Sequence, residues 1–267
     1  MFGEVSGTLR GVADERPPIV LLHGLTFDRR QWAPLLRELD AADPGRRVLA
    51  LDLPGHGESP GRSGYRLAPV TEVLHRAVTA AGLHEPVLVG HSVGGVIATA
   101  YAARFPAYAV VNLDQPLLTG GFGDLVRRAA PVLRGPGWRT VWDGLVAGMH
   151  LELLPPAARA LAEDGSTPRP ELLLGYWDEL LTSTDDELTE QRVRDLDAIR
   201  ERRVGYHFVA SAEPPSGYRA WLRTMLPDLE LTVLPGGHLP HLGYPAELAK
   251  ILAGQTSHRP GPPGPAW

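Results

Sequence analysis

Short, unbroken apolar runs that end in glycine or a polar turn recur along the chain. They read PPIVLLHG (17–24), RRVLALDLPGHG (46–57), EPVLVGHS (85–92), YAVVNLDQP (108–116), VGYHFVASAEP (204–214) and LELTVLPGGH (229–238). Continuous rather than alternating apolar residues predict strands covered on both faces, as in a parallel sheet. Between the runs lie stretches with helical character at 31–39, 69–81, 93–104, 218–226 and 245–252. Alternation of strand and helix predicts a doubly wound, mostly parallel α/β sheet.

The rhythm breaks at 117–203, which contains no strand-like run and carries helical patches interrupted by Pro and Gly. This stretch is expected to be a helical cap inserted between 1–116 and 204–254, which together form the core. Trp138, Trp142, Met149, Tyr176 and Trp177 give the cap apolar surface. They face a cavity or form the cap's own core, and the pattern leaves both open. The tail, 255–267, is rich in Pro and Gly and is expected to be disordered.

A chain of 267 residues is long enough for one domain with an insertion. Its formal net charge of −5 and scattered arginine pairs do not suit a nucleic-acid phosphate backbone. The absence of cysteine removes disulfides, thiolate catalysis and Cys-ligated zinc, and fits a cytoplasmic protein. The N-terminal sequence lacks the basic and apolar regions of a signal peptide, and no apolar run has the length of a membrane span. Neither a nucleic acid nor a membrane is therefore expected as a partner; nothing specifies an oligomeric state.

Functional groups in open α/β sheets gather at the carboxyl ends of strands. At one such end, Gly90-His91-Ser92-Val93-Gly94 forms G-x-S-x-G directly between a strand and a small-residue helix. A serine on so sharp a turn presents its hydroxyl outward at a helix N-terminus, where backbone N–H groups favour a developing anion. At a second end, the loop His23-Gly24-Leu25-Thr26 can turn the Leu25 N–H toward the same point. With the N–H of Val93 it would form an oxyanion hole. A third end carries Gly236-Gly237-His238 after the last strand, a loop from which an imidazole can reach the serine as general base. His241 is the alternative base; of the other histidines, His91 flanks the serine and is expected to point away from it, His56 lies in the loop after Asp52, and His23 is expected to be structural. Asp52 is read as a loop anchor.

Together HGLT (23–26), DLPGHGES (52–59), GHSVGG (90–95) and GGHLPHLGYPAE (236–247) resemble the α/β-hydrolase superfamily in order and spacing. The resemblance covers about residues 5 to 254, with 117–203 in the position of the variable cap. It implies a Ser–His–acid triad without cofactor or metal, and esters, lactones, thioesters or C–C bonded diketones as substrates. Dehalogenase relatives would carry Asp in place of Ser92, so that branch is disfavoured. The acid departs from pattern: where the family usually carries G-x-x-D, this chain reads Ala210-Ser211-Ala212-Glu213-Pro214. The resemblance makes Glu213 the first candidate and Asp114, in NLDQP, the alternative.

The expected activity is hydrolysis of an ester, lactone or related acyl bond through an acyl-enzyme on Ser92. A non-hydrolytic biosynthetic enzyme (cyclase, lyase or acyltransferase) or a ligand-binding receptor on the same fold stands as the alternative. A dinucleotide enzyme is disfavoured because Gly55-His56-Gly57-Glu58-Ser59-Pro60-Gly61 lacks the G-x-G-x-x-G spacing. Metal hydrolysis is disfavoured because no H-E-x-x-H gathers the ten histidines.

Overall fold

The apolar runs pair edge to edge. In the computed structural model, which describes residues 1–255, they form a seven-stranded sheet. Its strands are β1 (Gly7–Arg10), β2 (Ile19–Leu22), β3 (Val48–Leu51), β4 (Val87–His91), β5 (Ala109–Leu113), β6 (Gly205–Ala210) and β7 (Glu230–Val233). Their order is β1-β3-β2-β4-β5-β6-β7. Every pair is parallel except β1 with β3, which runs antiparallel at the sheet edge. The sequence pattern did not reveal β1: its four residues, GTLR, include no apolar run and only partly leave solvent.

Each central strand is buried along its whole length, and its side chains divide by parity between two cores. Val20, Leu22, Leu49, Leu51, Leu88 and Val110 face one cluster. Ile19, Leu21, Val48, Ala50, Val87, Val89 and Val111 face the other. This two-sided burial explains the continuous apolar runs. The second face is covered by α1 (Ala33–Ala42) and the C-terminal α12 (Pro245–Gly254), through Leu35, Leu39, Leu248 and Leu252. The first is covered by α2 (Leu67–Ala80) and α3 (Val93–Arg104).

The insertion between β5 and β6 is helical throughout its regular structure: α4 (Gly120–Leu133), α5 (Trp138–Ala147), a 3-10 turn at Leu151–Leu153, α6 (Pro156–Gly165), α7 (Pro170–Tyr176), α8 (Asp178–Thr182) and α9 (Asp185–Glu201). Within 117–203, however, α9 packs on α3, and its Leu196 and Ile199 join the core cluster of Ile97 and Tyr101. The last helix of the insertion therefore belongs to the layer on the sheet. A full capping box at Thr184 and Glu187 starts it, with the carboxylate reaching back to the Thr184 amide. After β6 come α10 (Ser216–Met225) and, after β7, the short α11 (Pro240–Gly243). Apart from Gln255, the tail expected to be disordered lies outside the described residues. Among those described, no helix is long and apolar enough to cross a membrane, and no cluster of three or more His, Asp or Glu side chains is arranged to hold a metal ion.

Candidate active site

The chain leaves β2 to form β3 on one side and returns to form β4 on the other, so the sheet reverses its winding between β2 and β4. Loops diverge at such a point and leave a crevice at the strands' carboxyl ends. Three residues with left-handed backbone lie at exits from the central strands: Thr26 (φ 70°), Ser92 (φ 52°) and Asp114 (φ 55°). Non-glycine residues adopt this region at a cost, and such strain concentrates at functional sites.

Ser92 joins β4 directly to α3 with φ 52° and ψ −126°. Its amide donates to the Leu113 carbonyl at 3.1 Å, and its own carbonyl accepts from Gly95 at 2.7 Å. The turn closes only because its flanks are bare: a Cβ on Gly90 would collide with the Gly94 backbone, and one on Gly94 with the Leu22 carbonyl. The 23–26 loop approaches from β2. A side chain at Gly24 would lie 2.7 Å from His91 Nδ1 and 3.4 Å from Ser92 Cβ, so glycine lets this loop close against the serine turn.

Buried imidazoles fix that loop. The His23 Nδ1–H donates to the Gly24 carbonyl at 2.8 Å, and Nε2 accepts from the Leu53 amide at 2.9 Å. The His56 Nδ1–H donates to the Pro54 carbonyl at 3.1 Å, and Nε2 accepts from the Thr26 amide at 3.0 Å. Each must be neutral to accept, and burial lowers both pKa values, that of His56 to about 3. Asp52 accepts the amides of Arg29 (2.8 Å) and Glu58 (2.9 Å) and pairs with the Arg29 guanidinium. These contacts tie 23–30 to 52–59 and fit the structural roles read for His23 and Asp52; His56 acts in the same way. Among the described residues, the Leu25 and Val93 amides have no hydrogen-bond partner, and both residues line the cavity at Ser92.

His238 follows Gly236 (φ 138°) and Gly237 (φ 92°), and its amide donates to the Met149 carbonyl of the insertion at 3.0 Å. Its Nδ1–H donates to Asp114 Oδ2 at 2.9 Å. The other oxygen, Oδ1, accepts from the Ser211 amide at 2.7 Å. The carboxylate facing His238 is therefore that of Asp114, and the first candidate, Glu213, is corrected. Glu213 is exposed, its carboxylate pairs with Arg219 on α10, and His238 Nδ1 bonds Asp114 instead. The end of β6, where the family pattern places its acid, supplies a backbone N–H that orients Asp114.

His91 is fully buried beside the serine, and its Nε2–H donates to the His238 carbonyl at 2.7 Å. Burial, reinforced by His241 and His238, lowers its pKa well below the usual histidine value. His241 is itself sealed between His91 and Trp32, at ring separations of 4.5 and 4.7 Å. It does not reach the cavity, so it is no alternative base.

Ser92, Asp114 and His238 line one cavity of about 650 Å³ that residues of the 117–203 insertion also line. Of the aromatic and methionine side chains singled out in the insertion, Trp142, Met149, Tyr176 and Trp177 line it, whereas Trp138 does not. Arg192 of α9 also lines it and was not anticipated from the sequence. The available signal was its placement with Asp195 on the stripe of Leu188, Leu196 and Ile199, where an uncharged residue would be expected.

This arrangement offers a hydroxyl at a helix N-terminus, two free amide N–H groups and an imidazole whose outer nitrogen is held by a carboxylate. Such a set suits proton abstraction from the hydroxyl and stabilisation of an oxyanion.

Comparison with known proteins adds family membership. One similar protein is the pimeloyl-(acyl-carrier protein) methyl ester esterase of Aromatoleum aromaticum, 29% identical over 89% of this chain and 97% of that protein. Another is a 2-hydroxy-6-oxononadienedioate/2-hydroxy-6-oxononatrienedioate hydrolase of Paraburkholderia phymatum, 30% identical over 62% of this chain and 57% of that protein. Among solved structures, a variant of AqdC in complex with its substrate, described in terms of recognition and ring-cleavage of the Pseudomonas quinolone signal, superposes with a TM-score of 0.78. It is 19% identical and aligns over 94% of this chain and 95% of that one, a likeness of fold. The sequence model of the alpha/beta hydrolase family matches residues 19–251, and the chain belongs to that family.

Proposed function

We propose that the protein is a serine hydrolase that cleaves a small-molecule ester, lactone or related acyl bond through a covalent acyl-enzyme on Ser92. The observation that carries this reading is the Asp114–His238 hydrogen bond in the cavity that Ser92 also lines. In the reaction, Ser92 Oγ attacks the substrate carbonyl carbon while His238 takes the hydroxyl proton. The carbonyl electron pair moves onto oxygen, where the N–H groups of Leu25 and Val93 receive it. Each such donor is worth about 3 kcal/mol in the transition state. Collapse of this intermediate expels the alcohol, which takes the proton back from His238. Water, deprotonated by the same imidazole, then attacks the acyl-enzyme; collapse expels the Ser92 oxygen, which regains its proton from His238 as the acid is released. Asp114 holds the tautomer and stabilises the imidazolium, and the cap excludes bulk water.

The test combines labelling with turnover. A fluorophosphonate probe should modify wild-type protein at Ser92 and leave Ser92→Ala unlabelled, and p-nitrophenyl esters should be hydrolysed only by the wild type. Absence of labelling, with equal ester turnover by both proteins, would refute the reading. Labelling at Ser92 without turnover of any ester or lactone would favour the receptor or biosynthetic alternative.

A further inference from the structure

We propose that Arg192 sets substrate choice by receiving a neutral hydrogen-bond acceptor, such as a ketone, ether or amide oxygen, carried on an otherwise apolar acyl group. This deepens the serine-hydrolase reading and rests on it for the position of the scissile bond. The cavity wall is predominantly apolar, with Ile97, Leu117, Phe122, Trp142 and Leu180 among its residues. Among the described residues that line it, and outside the Ser92–His238–Asp114 group, only Arg192 and Glu179 carry side chains that are charged at neutral pH. The Glu179 carboxylate accepts the Leu67 amide at 3.1 Å and so has a structural partner.

Arg192 has a different setting. It is 5% exposed, as is Asp195 one turn along α9. Its Nη1 donates to Asp195 Oδ2 at 2.7 Å, and the Gln191 side-chain Nε2 donates to Asp195 Oδ1 at 2.8 Å. A guanidinium withdrawn from water is tolerated when paired in this way. The pairing also orients the planar fork, which offers N–H donors in fixed directions. Among the described residues its Nε and Nη2 donate to no protein group. A cation held on a cavity wall with donors unused is built to meet an acceptor that arrives with the ligand.

The charge balance selects a neutral acceptor. Asp195 already neutralises Arg192, and the same cavity holds Asp114 and Glu179. A substrate carboxylate would add a further negative charge against three carboxylates, at low dielectric, with one guanidinium to offset them. A ketone or ether oxygen accepts the N–H without that penalty. A plain alkyl chain would bury the donors unpaired, and sites with a polar group to satisfy reject such analogues.

The experiment measures kcat/KM for p-nitrophenyl esters of one chain length whose acyl group is plain alkyl, oxo-substituted at successive carbons, or carboxylate-terminated. The same acyl groups, as primary amides, are titrated into Ser92→Ala protein by fluorescence of the cavity tryptophans, which reads recognition without turnover. Wild type should prefer one oxo-ester over its alkyl parent by about 10- to 100-fold, the span expected of a charge-assisted hydrogen bond. The carboxylate-terminated ester should be the poorest. Arg192→Lys keeps a charge beside Asp195 but loses the fork, so the oxo-to-alkyl ratio should collapse toward one. The paired Arg192→Met/Asp195→Leu variant leaves no buried charge unpaired and should behave likewise. An unchanged ratio in both variants, or a wild-type preference for the carboxylate, overturns the proposal. If no ester is turned over, the hydrolase reading fails by itself, and the amide titrations in the Ser92→Ala background, with and without Arg192→Lys, still decide the role of Arg192.

Discussion

Asp114 and His238, brought together from β5 and from the loop after β7, meet at 2.9 Å with both carboxylate oxygens of Asp114 occupied. The Ser211 amide on Oδ1 leaves Oδ2 aimed at the imidazole, so the Nδ1 side of the His238 ring is held by this one side chain. Asp114→Asn preserves the shape but removes the charge and offers a donor where His238 needs an acceptor. Turnover of an ester substrate should fall by about 10⁴-fold, the cost of a wrong histidine tautomer. Glu213→Gln disturbs an exposed ion pair of small energetic weight and should leave kcat almost unchanged. Steady-state kinetics of the two variants side by side checks this, and a crippled Glu213→Gln with an active Asp114→Asn would reverse the assignment.

Why the sequence pointed first to Glu213 has a physical answer. Both Asp114 and the segment after β6 follow parallel strands that are neighbours in the sheet. The register pairs Leu113 with Val209, which brings Asp114 beside Ser211. Either segment stands at the right height to face His238; which one supplies a carboxylate depends on where the chain turns next. After Ala210 it turns outward into α10, carrying Glu213 to the surface against Arg219. Strand runs and the serine turn were legible because burial on both faces and a glycine-flanked bend leave one-dimensional signatures. Register, and the direction of a loop side chain, leave none. Arg192 escaped for the same reason: its helix was readable, but not which wall of which cavity its polar pair would join.

Buried neutral histidines make the fold sensitive to acid. Burial lowers both His56 and His241 from the unfolded value of 6.5 to about 3. Between those values the unfolded chain binds protons that the folded chain excludes, so stability is full above pH 6.5 and declines as pH falls toward 3. Each such histidine contributes about 1.4 kcal/mol per pH unit in that window. Urea midpoints should therefore drop steeply from pH 7.5 to pH 5. His241→Phe removes one of these groups from beside Trp32 and should flatten the dependence by about 2 kcal/mol across the same interval. Parallel curves for the two proteins would show that His241 takes no part.

Contact between His91 and His238 places a second constraint on the proposed base. The imidazole of His91 is neutral and its Nε2–H holds the His238 carbonyl, while the His238 amide is held by Met149 on the cap side. The glycines preceding His238 give the loop freedom, and these bonds remove it. His91→Phe keeps a ring of similar bulk among His241, His238 and Phe27 but deletes the donor. The His238 carbonyl is then unpaired, and the loop can shift the imidazole relative to Ser92. A displacement near 1 Å costs about 10²-fold in rate, and because His91 acts through the proposed base, the loss should appear in kcat with KM little changed. Fluorophosphonate labelling of Ser92 should slow in step, since it needs the same proton transfer. His91→Gln, which can restore an N–H to the carbonyl, should recover part of both rates. A His91→Phe protein that melts at the wild-type temperature and retains full kcat would show that the loop is positioned without this bond.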